Sequence, residues 1–349
     1  MKSSYKEKDV VLLLKDITGL VKPQSTEERE KLIQSGKHYC EMLPIEYVPS
    51  EKYMEAYRDA LKNYARQTAG AVGSLADKII SVKGRNIVLV SLARAGIPAG
   101  ILIKRYLKWK YQINPAHYSI SIIRGMGIDK NAVRYILQRH KPEHILFVDG
   151  WIGKGAILNE LEQAVKEFAD VSSELAVLAD PAGITELCGT HEDLLIPSSC
   201  LNSTISGLIS RTFFRWDIIG ENDFHGAVYY ENLKDVDLSY EFIYAIEAEF
   251  IKENREIKKT FNNKGIDEVK QIAQDYNIGD INLIKPGIGE TTRVLLRRVP
   301  WKVLIGEEFK NDAALEHIKR LADEKGVEIE YYPLKHYKSC GIIKRIADM

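Results

Sequence analysis

The sequence predicts an α/β protein with a mostly parallel, doubly wound sheet and a second, smaller α/β domain. Short apolar runs alternate with helical patterns through most of the chain, which is typical of parallel sheets covered by helices. Each run ends in a glycine-rich or polar turn. After about residue 260 the alternation resumes with shorter pieces, which indicates a separate and smaller domain.

Composition excludes several classes of protein. The 349 residues are 45% hydrophobic and 28% charged, with a formal net charge of zero. These values suit a globular chain with a core and imply no overall attraction to nucleic acid or membrane. The four cysteines form no CxxC pair, so neither a zinc site nor a disulfide framework is indicated. No apolar run has the length of a signal-peptide core or a membrane span. We therefore expect a reduced, cytoplasmic protein without a membrane segment.

The order of elements follows from apolar spacing. Residues 1–50 predict irregular structure, and residues 50–82 predict a helix. Apolar runs predict buried strands at 86–92, 117–123, 144–149, 174–180 and 193–197. Helical patterns follow the first three of these strands, at 101–109, 132–138 and 156–168. Another follows the fifth strand after residue 197, where Ser203 and Thr204 would cap a helix.

A charged helical pattern at 241–260 predicts a domain boundary near residue 260. The domains are expected to span residues 1–258 and 262–349. In the second domain the pattern predicts helices and strands in alternation, with a last strand at 327–332 and a final helix after it.

One strand exit indicates phosphate binding. The run at 144–149 ends in Asp149 and leaves through three glycines around Lys154. Unpaired N–H groups at the start of a helix attract anions, and glycine lets the backbone approach a ligand. Asp149 is placed for ribose hydroxyls or Mg²⁺. The expected phosphate site comprises Gly153, Lys154, Gly155, Ala156 and Ile157.

The stretch VDGWIGKGAI (148–157) resembles the motif of type I phosphoribosyltransferases that binds phosphoribosyl pyrophosphate (PRPP). Asp149 matches the first acid of that motif, Gly150 replaces the second acid, and Lys154 stands where threonine is usual. VSLARAGIPAG (90–100) resembles the pyrophosphate loop of the family, which implies that role for Ala93, Arg94, Ala95 and Gly96.

The segment 122–134 resembles the family's flexible catalytic loop, with Arg124 on the leaving group. The resemblance implies catalysis by Asp149, Arg94 and Arg124, with Mg²⁺ at Asp149 and PRPP as substrate. For the individual segments the alternatives are a glycine-rich structural turn, a close-packed helix start and a solvated loop.

The stretch KPGIGETTRVLLRRVPWKVLIG (285–306) resembles the L7Ae/Pelota type of RNA-binding domain. Gly287, Glu290 and Arg293 match its Gly-x-Asn-Glu-x-x-Lys turn, while Gly289 replaces the asparagine. Residues 291–305 and 333–347 carry basic side chains without an acid, as phosphate contacts require; solvated helix ends are the alternative. The expected RNA contacts are Gly287, Gly289, Glu290, Arg293, Arg297, Lys335 and Lys338.

The combination of the two domains resembles a family associated with tellurium resistance whose members are labelled StiP-type cysteine proteases. Three functions remain open. The first is a PRPP-dependent phosphoribosyltransferase, or phosphorolysis of a nucleoside at the same site, joined to a domain for structured RNA. The second is a non-catalytic PRPP- or nucleotide-sensing RNA-binding protein. The third is a cysteine protease that uses Cys188 with His191, or Cys200. A homodimer is among the expected assemblies.

Overall fold

The computed structural model describes residues 1–251 and 265–345. The predicted boundary near residue 260 therefore lies outside the described residues. The strands are β1 (Val11–Leu12), β2 (Lys15–Asp16), β3 (Val88–Ala93), β4 (Ala116–Ile123), β5 (Gly127–Ile128), β6 (Ile145–Trp151), β7 (Leu175–Ala179), β8 (Cys188–Thr190), β9 (Gly226–Ala227), β10 (Ile284–Pro286), β11 (Pro300–Gly306), β12 (Glu328–Tyr332) and β13 (Ser339–Ile343). The helices are α1 (Thr26–Gln34), α2 (Glu51–Lys83), α3 (Gly96–Tyr111), α4 (Lys130–Leu137), α5 (Ala156–Ala164), α6 (Ser239–Glu247), α7 (Gly265–Asp275), α8 (Ile288–Arg297) and α9 (Glu316–Glu324).

The large sheet has the strand order β1-β4-β3-β6-β7-β8, and all of these pairs are parallel. Among the described strands of this sheet, only the short β5 runs antiparallel, against β4. Counted in chain order, β3, β4, β6, β7 and β8 are arranged 2-1-3-4-5, a common order of doubly wound sheets. The predicted fold class is confirmed.

Both faces of this sheet are covered by helices because neighbouring residues of a strand point to opposite sides. Leu89 and Leu146 pack in one core with residues of α2, α3 and α6. Val88 and Phe147 pack in a second core with residues of α4 and α5. The carboxyl ends of the strands lie at one edge, where doubly wound proteins bind ligands.

The smaller domain has a four-stranded sheet of order β10-β13-β11-β12. The predicted final helix is wrong, because residues 339–343 form β13. This strand lies between β10 and β11, and all five of its residues are buried. In a short run that is buried on both sides, apolar and polar residues do not alternate, so hydrophobic periodicity cannot distinguish a strand from a helix.

The first domain also departs from prediction in three places. The fifth strand is β8 at 188–190, and residues 193–197 form no strand. The helix expected after residue 197 is replaced by short turns, in which Ser206 Oγ donates to the Asn202 carbonyl and Ser210 Oγ to the Arg211 carbonyl. Such side-chain bonds compete with a helix. Residues 26–34 form α1, which the capping box of Ser25 and Glu28 begins. Within residues 1–251 and 265–345, no helix has the length and apolarity that crossing a membrane requires.

Candidate functional site

The second domain packs on the edge of the large sheet where the strands end. The buried Asp193 carboxylate joins the two domains, since it accepts the backbone N–H of Ile288 at 3.0 Å and that of Lys338 at 2.8 Å. Tyr337 donates its hydroxyl to the carbonyl of Gly153 at 2.7 Å. Because these groups are buried and paired, the two domains form a tightly bonded contact over the strand ends.

A cavity of about 810 Å³ lies between the domains, and we call it the interdomain cavity. It is lined by the end of β6, by the loop before α5 and by the start of α8. Among the described residues, nine cationic side chains line it: Arg29, Arg124, Lys154, Arg211, Lys285, Arg293, Arg297, Arg298 and Arg345. Four carboxylates share the wall, those of Glu30, Asp149, Asp280 and Glu290.

Burial and mutual repulsion act on these cations. Burial, with Lys285 and Arg124 nearby, lowers the pKa of Lys154 to about 8. Burial also lowers the pKa of Arg211 and that of Arg297 to about 9, and other arginines add to each shift. The positive charge of this wall is therefore only partly offset by the protein itself.

The predicted phosphate loop lies on the wall of this cavity. Gly155 has φ +85° at the start of α5, a conformation that favours glycine. Lys154, however, donates its Nζ to the carbonyls of Ile281 and, at 3.0 Å, Ile284 in the second domain. Its ammonium group thus holds the two domains together.

Asp149 also lies on this wall. Burial raises the pKa of its carboxyl to about 7, against the hydrogen bond from the Gly150 N–H and the charge of Arg293. The described residues contain no group of three or more histidine, cysteine or acidic side chains that could hold a metal ion. The Mg²⁺ expected at Asp149 stays a prediction.

The predicted pyrophosphate loop has a structural role. A Cβ on Gly96 would lie 2.3 Å from the carbonyl oxygen of Val148, so this glycine permits close packing of α3 on β6. Arg94 pairs with Glu46 at 3.3 Å and donates to Asn202 Oδ1 and to the Ile209 carbonyl. These partners lie within the first domain, and they occupy the guanidinium that was expected on a diphosphate. Ala93 ends β3, and Ala95 lines the interdomain cavity.

Arg124, the third expected catalytic residue, does line the interdomain cavity. Its guanidinium donates to Asn282 Oδ1 at 2.8 Å. The structure therefore brings Asp149, Arg124 and residues 153–157 together on one wall, whereas Arg94 does not line the cavity.

The predicted RNA-binding turn faces the first domain. Gly287 has φ +94° beside Asp193, and a Cβ on Gly289 would meet Trp151 and Ser199. An RNA helix therefore has no direct approach to Gly287 or Gly289 while the domains are packed. The side chains that follow are partnered: Arg293 with Glu290 and the Trp151 ring, Arg297 with the Leu201 carbonyl, and Lys338 with Asp312. Lys335 is exposed.

Two cysteines contact histidine rings. Cys188 Sγ lies 3.4 Å from His191 Nε2, and His191 Nδ1 lies 2.9 Å from the Asp180 carbonyl and 3.8 Å from its carboxylate. Cys188 and His191 were predicted from the sequence, whereas Asp180, which ends the run at 174–180, was not. A strand-end acid was the available signal.

Cys40 and His38 form the second pair, which sequence analysis missed. The His38 Nδ1 atom lies 2.9 Å from Cys40 Sγ, and His38 Nε2 lies 3.0 Å from the Arg124 carbonyl. A His-x-Cys spacing was the available signal. Burial raises the pKa of the Cys40 thiol to about 11.

Cys200 has a different environment. It is fully buried, and burial raises its pKa to about 12. Over the described ranges, no histidine lies within hydrogen-bond distance of its sulfur. Of the two nucleophiles that sequence analysis named, only Cys188 has a base beside it.

Comparison with known proteins gives matches over most of the chain. The model of the family described as tellurite-like stress resistance cysteine protease StiP matches residues 3–247, and that of the PELOTA RNA binding domain matches residues 263–345. A relative from Acinetobacter baylyi, named cysteine protease StiP, is 36% identical over 364 aligned positions, covering 98% of this chain and 94% of the relative.

Among solved structures, a hypoxanthine-guanine phosphoribosyltransferase from Bacillus anthracis is 19% identical with a TM-score of 0.26. The match covers 35% of this chain and 71% of that chain. A similarity of this size supports no conclusion about function.

These findings correct the main functional interpretation. Phosphoribosyl transfer is wrong as the leading function, because the matching family and the Acinetobacter relative are both named for a cysteine protease, the third of the expected functions. The physical reason is that an acid and a glycine-rich turn at the end of a strand are features of the fold. They do not determine which reaction the protein catalyses, because that depends on the reactive side chains. The chain belongs to the StiP family of tellurite-like stress resistance cysteine proteases.

Proposed function

We propose that this protein is a cysteine protease with Cys188 as nucleophile, His191 as base and Asp180 as the residue that orients the base. The observation that carries the proposal is the position of the imidazole between a thiol and a buried carboxylate, at 3.4 Å and 3.8 Å. A nucleophile, a base and a third group that holds the base are the parts that thiol catalysis needs.

The hydrogen bond to Asp180 selects the tautomer of His191. A carbonyl oxygen only accepts, so His191 Nδ1 carries the proton that it donates at 2.9 Å. Nε2 is then the unprotonated nitrogen of the ring, and it is the nearer of the two to the thiol sulfur, at 3.4 Å against 3.6 Å for Nδ1. The Asp180 carboxylate, fully buried, stabilises the imidazolium ion that results when this nitrogen takes the thiol proton.

The reaction follows from this arrangement. The thiolate of Cys188 attacks the carbonyl carbon of a peptide bond, and His191 gives its proton to the departing amine. A water molecule, deprotonated by His191, then hydrolyses the thioester and releases the thiol. The family match and the name of the Acinetobacter relative support this assignment.

Access to the sulfur requires movement. Cys188 is fully buried in a cluster that also contains Ala182, and 19% of the His191 side chain is exposed. Ala182 lies in the turn between β7 and β8, and its carbonyl accepts the N–H of Gly265 in the second domain. Because this turn is bonded to the second domain, we expect substrate entry to depend on that contact.

Hydrolysis of a fluorescent, unfolded protein substrate tests the proposal. We expect activity in the purified chain, its loss in Cys188→Ala, and its retention in Cys40→Ala. Activity that survives in Cys188→Ala and disappears in Cys40→Ala would assign the reaction to the other pair.

A second function, RNA binding by residues 265–345, is supported by the match to the PELOTA RNA binding domain. The turn predicted to contact RNA faces the first domain, so the contact surface must include other residues. Gel shifts of the full chain with bulged, fully paired and single-stranded RNAs test this function. Absence of binding to all three would contradict it.

A further inference from the structure

The proposed protease reaction uses none of the cations of the interdomain cavity. Nine cationic and four acidic side chains line that cavity among the described residues. Like charges repel more strongly in a partly buried space than in water. The formal excess of five positive charges therefore favours an anionic ligand with several negative groups.

Several arginines that line this cavity also carry an unpaired donor. In the described residues, five arginines have a buried Nε–H without a hydrogen-bond partner, and four of them line this cavity: Arg29, Arg211, Arg293 and Arg297. A buried donor without an acceptor is costly. The protein therefore leaves these four guanidinium groups incompletely bonded, although the Nε atoms themselves are not exposed to the cavity.

Aromatic rings lie among the cations. The Arg293 guanidinium is 4.7 Å from the Trp151 ring, and Arg124 and Arg211 lie 5.9 Å and 5.1 Å from the Tyr39 ring. Proteins that hold single-stranded nucleic acid combine cations for the backbone with rings on which bases stack. Both elements are present on this wall.

The two domains build the cavity together. Arg29 and Arg124 come from the first domain, whereas Arg293 and Arg297 come from the domain that matches an RNA-binding family. A volume of about 810 Å³ is that of a small-ligand site, far below the size of a double helix. We propose that the interdomain cavity binds the single-stranded end of an RNA, with its phosphates on arginines of both domains. This inference rests on the proposed RNA binding.

The test measures affinity of the full chain for a short single-stranded RNA and for the same sequence closed into a circle. We expect the linear RNA to bind about tenfold tighter, because only a free end enters the cavity. Arg29→Gln and Arg293→Gln should each weaken binding about tenfold and reduce the salt dependence by about 0.7 units of slope. The control is Lys319→Gln, because Lys319 pairs with Glu316 at i,i+3 as Arg293 pairs with Glu290. It should leave binding unchanged.

The outcomes separate the cavity from RNA binding in general. Equal binding by wild type, Arg29→Gln and Arg293→Gln would overturn the cavity and leave RNA binding in place. Failure of the wild type to bind any RNA would overturn both. Inorganic tripolyphosphate that stabilises the chain against heat without RNA binding would assign the cavity to a small anion instead. If Arg293→Gln fails to fold, Arg29→Gln still decides, since no ion pair of Arg29 is found in the part of the chain that the structure describes.

Discussion

The two cysteine–histidine pairs differ in what holds the imidazole. The thiol and ring are closer in the Cys40–His38 pair, at 2.9 Å, than in the Cys188–His191 pair, at 3.4 Å. The ring of His38 is fixed by the Arg124 carbonyl, and no carboxylate contacts it among the described residues. The ring of His191 lies beside the buried carboxylate of Asp180. The proposed nucleophile is therefore distinguished by a group that can stabilise its imidazolium ion and not by the shorter distance between sulfur and nitrogen.

The largest expected effect removes one member of the Cys188–His191 pair. Cys188→Ala and His191→Ala should each lower turnover of an unfolded protein substrate about a thousandfold or more, because the nucleophile and base act as a unit. Fluorescence assays on the purified variants measure this. Cys40→Ala is the matched control, and its turnover should stay within about twofold of wild type. An equal loss of turnover in Cys40→Ala would contradict the assignment of Cys188, and not Cys40, as the nucleophile.

A smaller effect is expected at Asp180. Asp180→Asn should lower turnover about tenfold to a hundredfold, since the imidazolium ion loses its negative neighbour. Asn keeps an oxygen that can accept from the N–H groups of Ile184 and Thr185, as Asp180 does, so the fold should persist. The measurement is turnover across pH together with circular dichroism. Unchanged turnover at every pH would remove Asp180 from the proposed mechanism.

Substitution of His38 should have the opposite effect: it should lower the stability of the fold and change turnover little. Its ring bonds to the Arg124 carbonyl and accepts the Cys40 N–H at the start of a short helical turn. His38→Ala should lower the free energy of unfolding by about 1–2 kcal/mol, as urea denaturation would show. A fall in turnover without a fall in stability would contradict a structural role for this pair.

The smallest effect concerns the reactivity of the Cys40 thiol. Burial raises its pKa to about 11, so the thiolate fraction is small at neutral pH and grows as pH rises toward that value. Only the thiolate reacts with iodoacetamide, and labelling of Cys40 should therefore accelerate about tenfold per pH unit below pH 11. Rapid labelling of Cys40 that is independent of pH would indicate a thiolate and weaken the distinction between the pairs.

The sequence predicts the sheet better than the segments around it. Apolar runs such as 86–92 and 144–149 correspond to β3 and β6 because a strand buried on both faces is apolar throughout. Because β13 is also buried along its whole length, its sequence lacks the alternation of a strand, and a helix was predicted there. The turns after residue 197 were missed because their serine side chains bond to nearby carbonyls.

The site was only partly predictable, for two physical reasons. The pairing of Cys188 with His191 is local in the chain, whereas the approach of Asp180 depends on the turn between β7 and β8. The basic stretches were expected to lie open for RNA, but acids distant in sequence pair with them: Glu30 with Arg298 and Glu330 with Lys302. A linear pattern cannot show which charges meet after folding.

The identity of the reactive thiol tests the central claim most directly. The native chain is treated at about pH 7, where a thiolate is the reacting form, with a peptide epoxide that alkylates cysteine proteases, and the labelled cysteine is identified by peptide mass mapping. Cys40, Cys200 and Cys340 serve as internal controls, because burial raises the pKa of each thiol. We expect label on Cys188 alone, and its disappearance in His191→Ala but not in His38→Ala. Label on Cys40 that depends on His38, with Cys188 unmodified, would contradict the account.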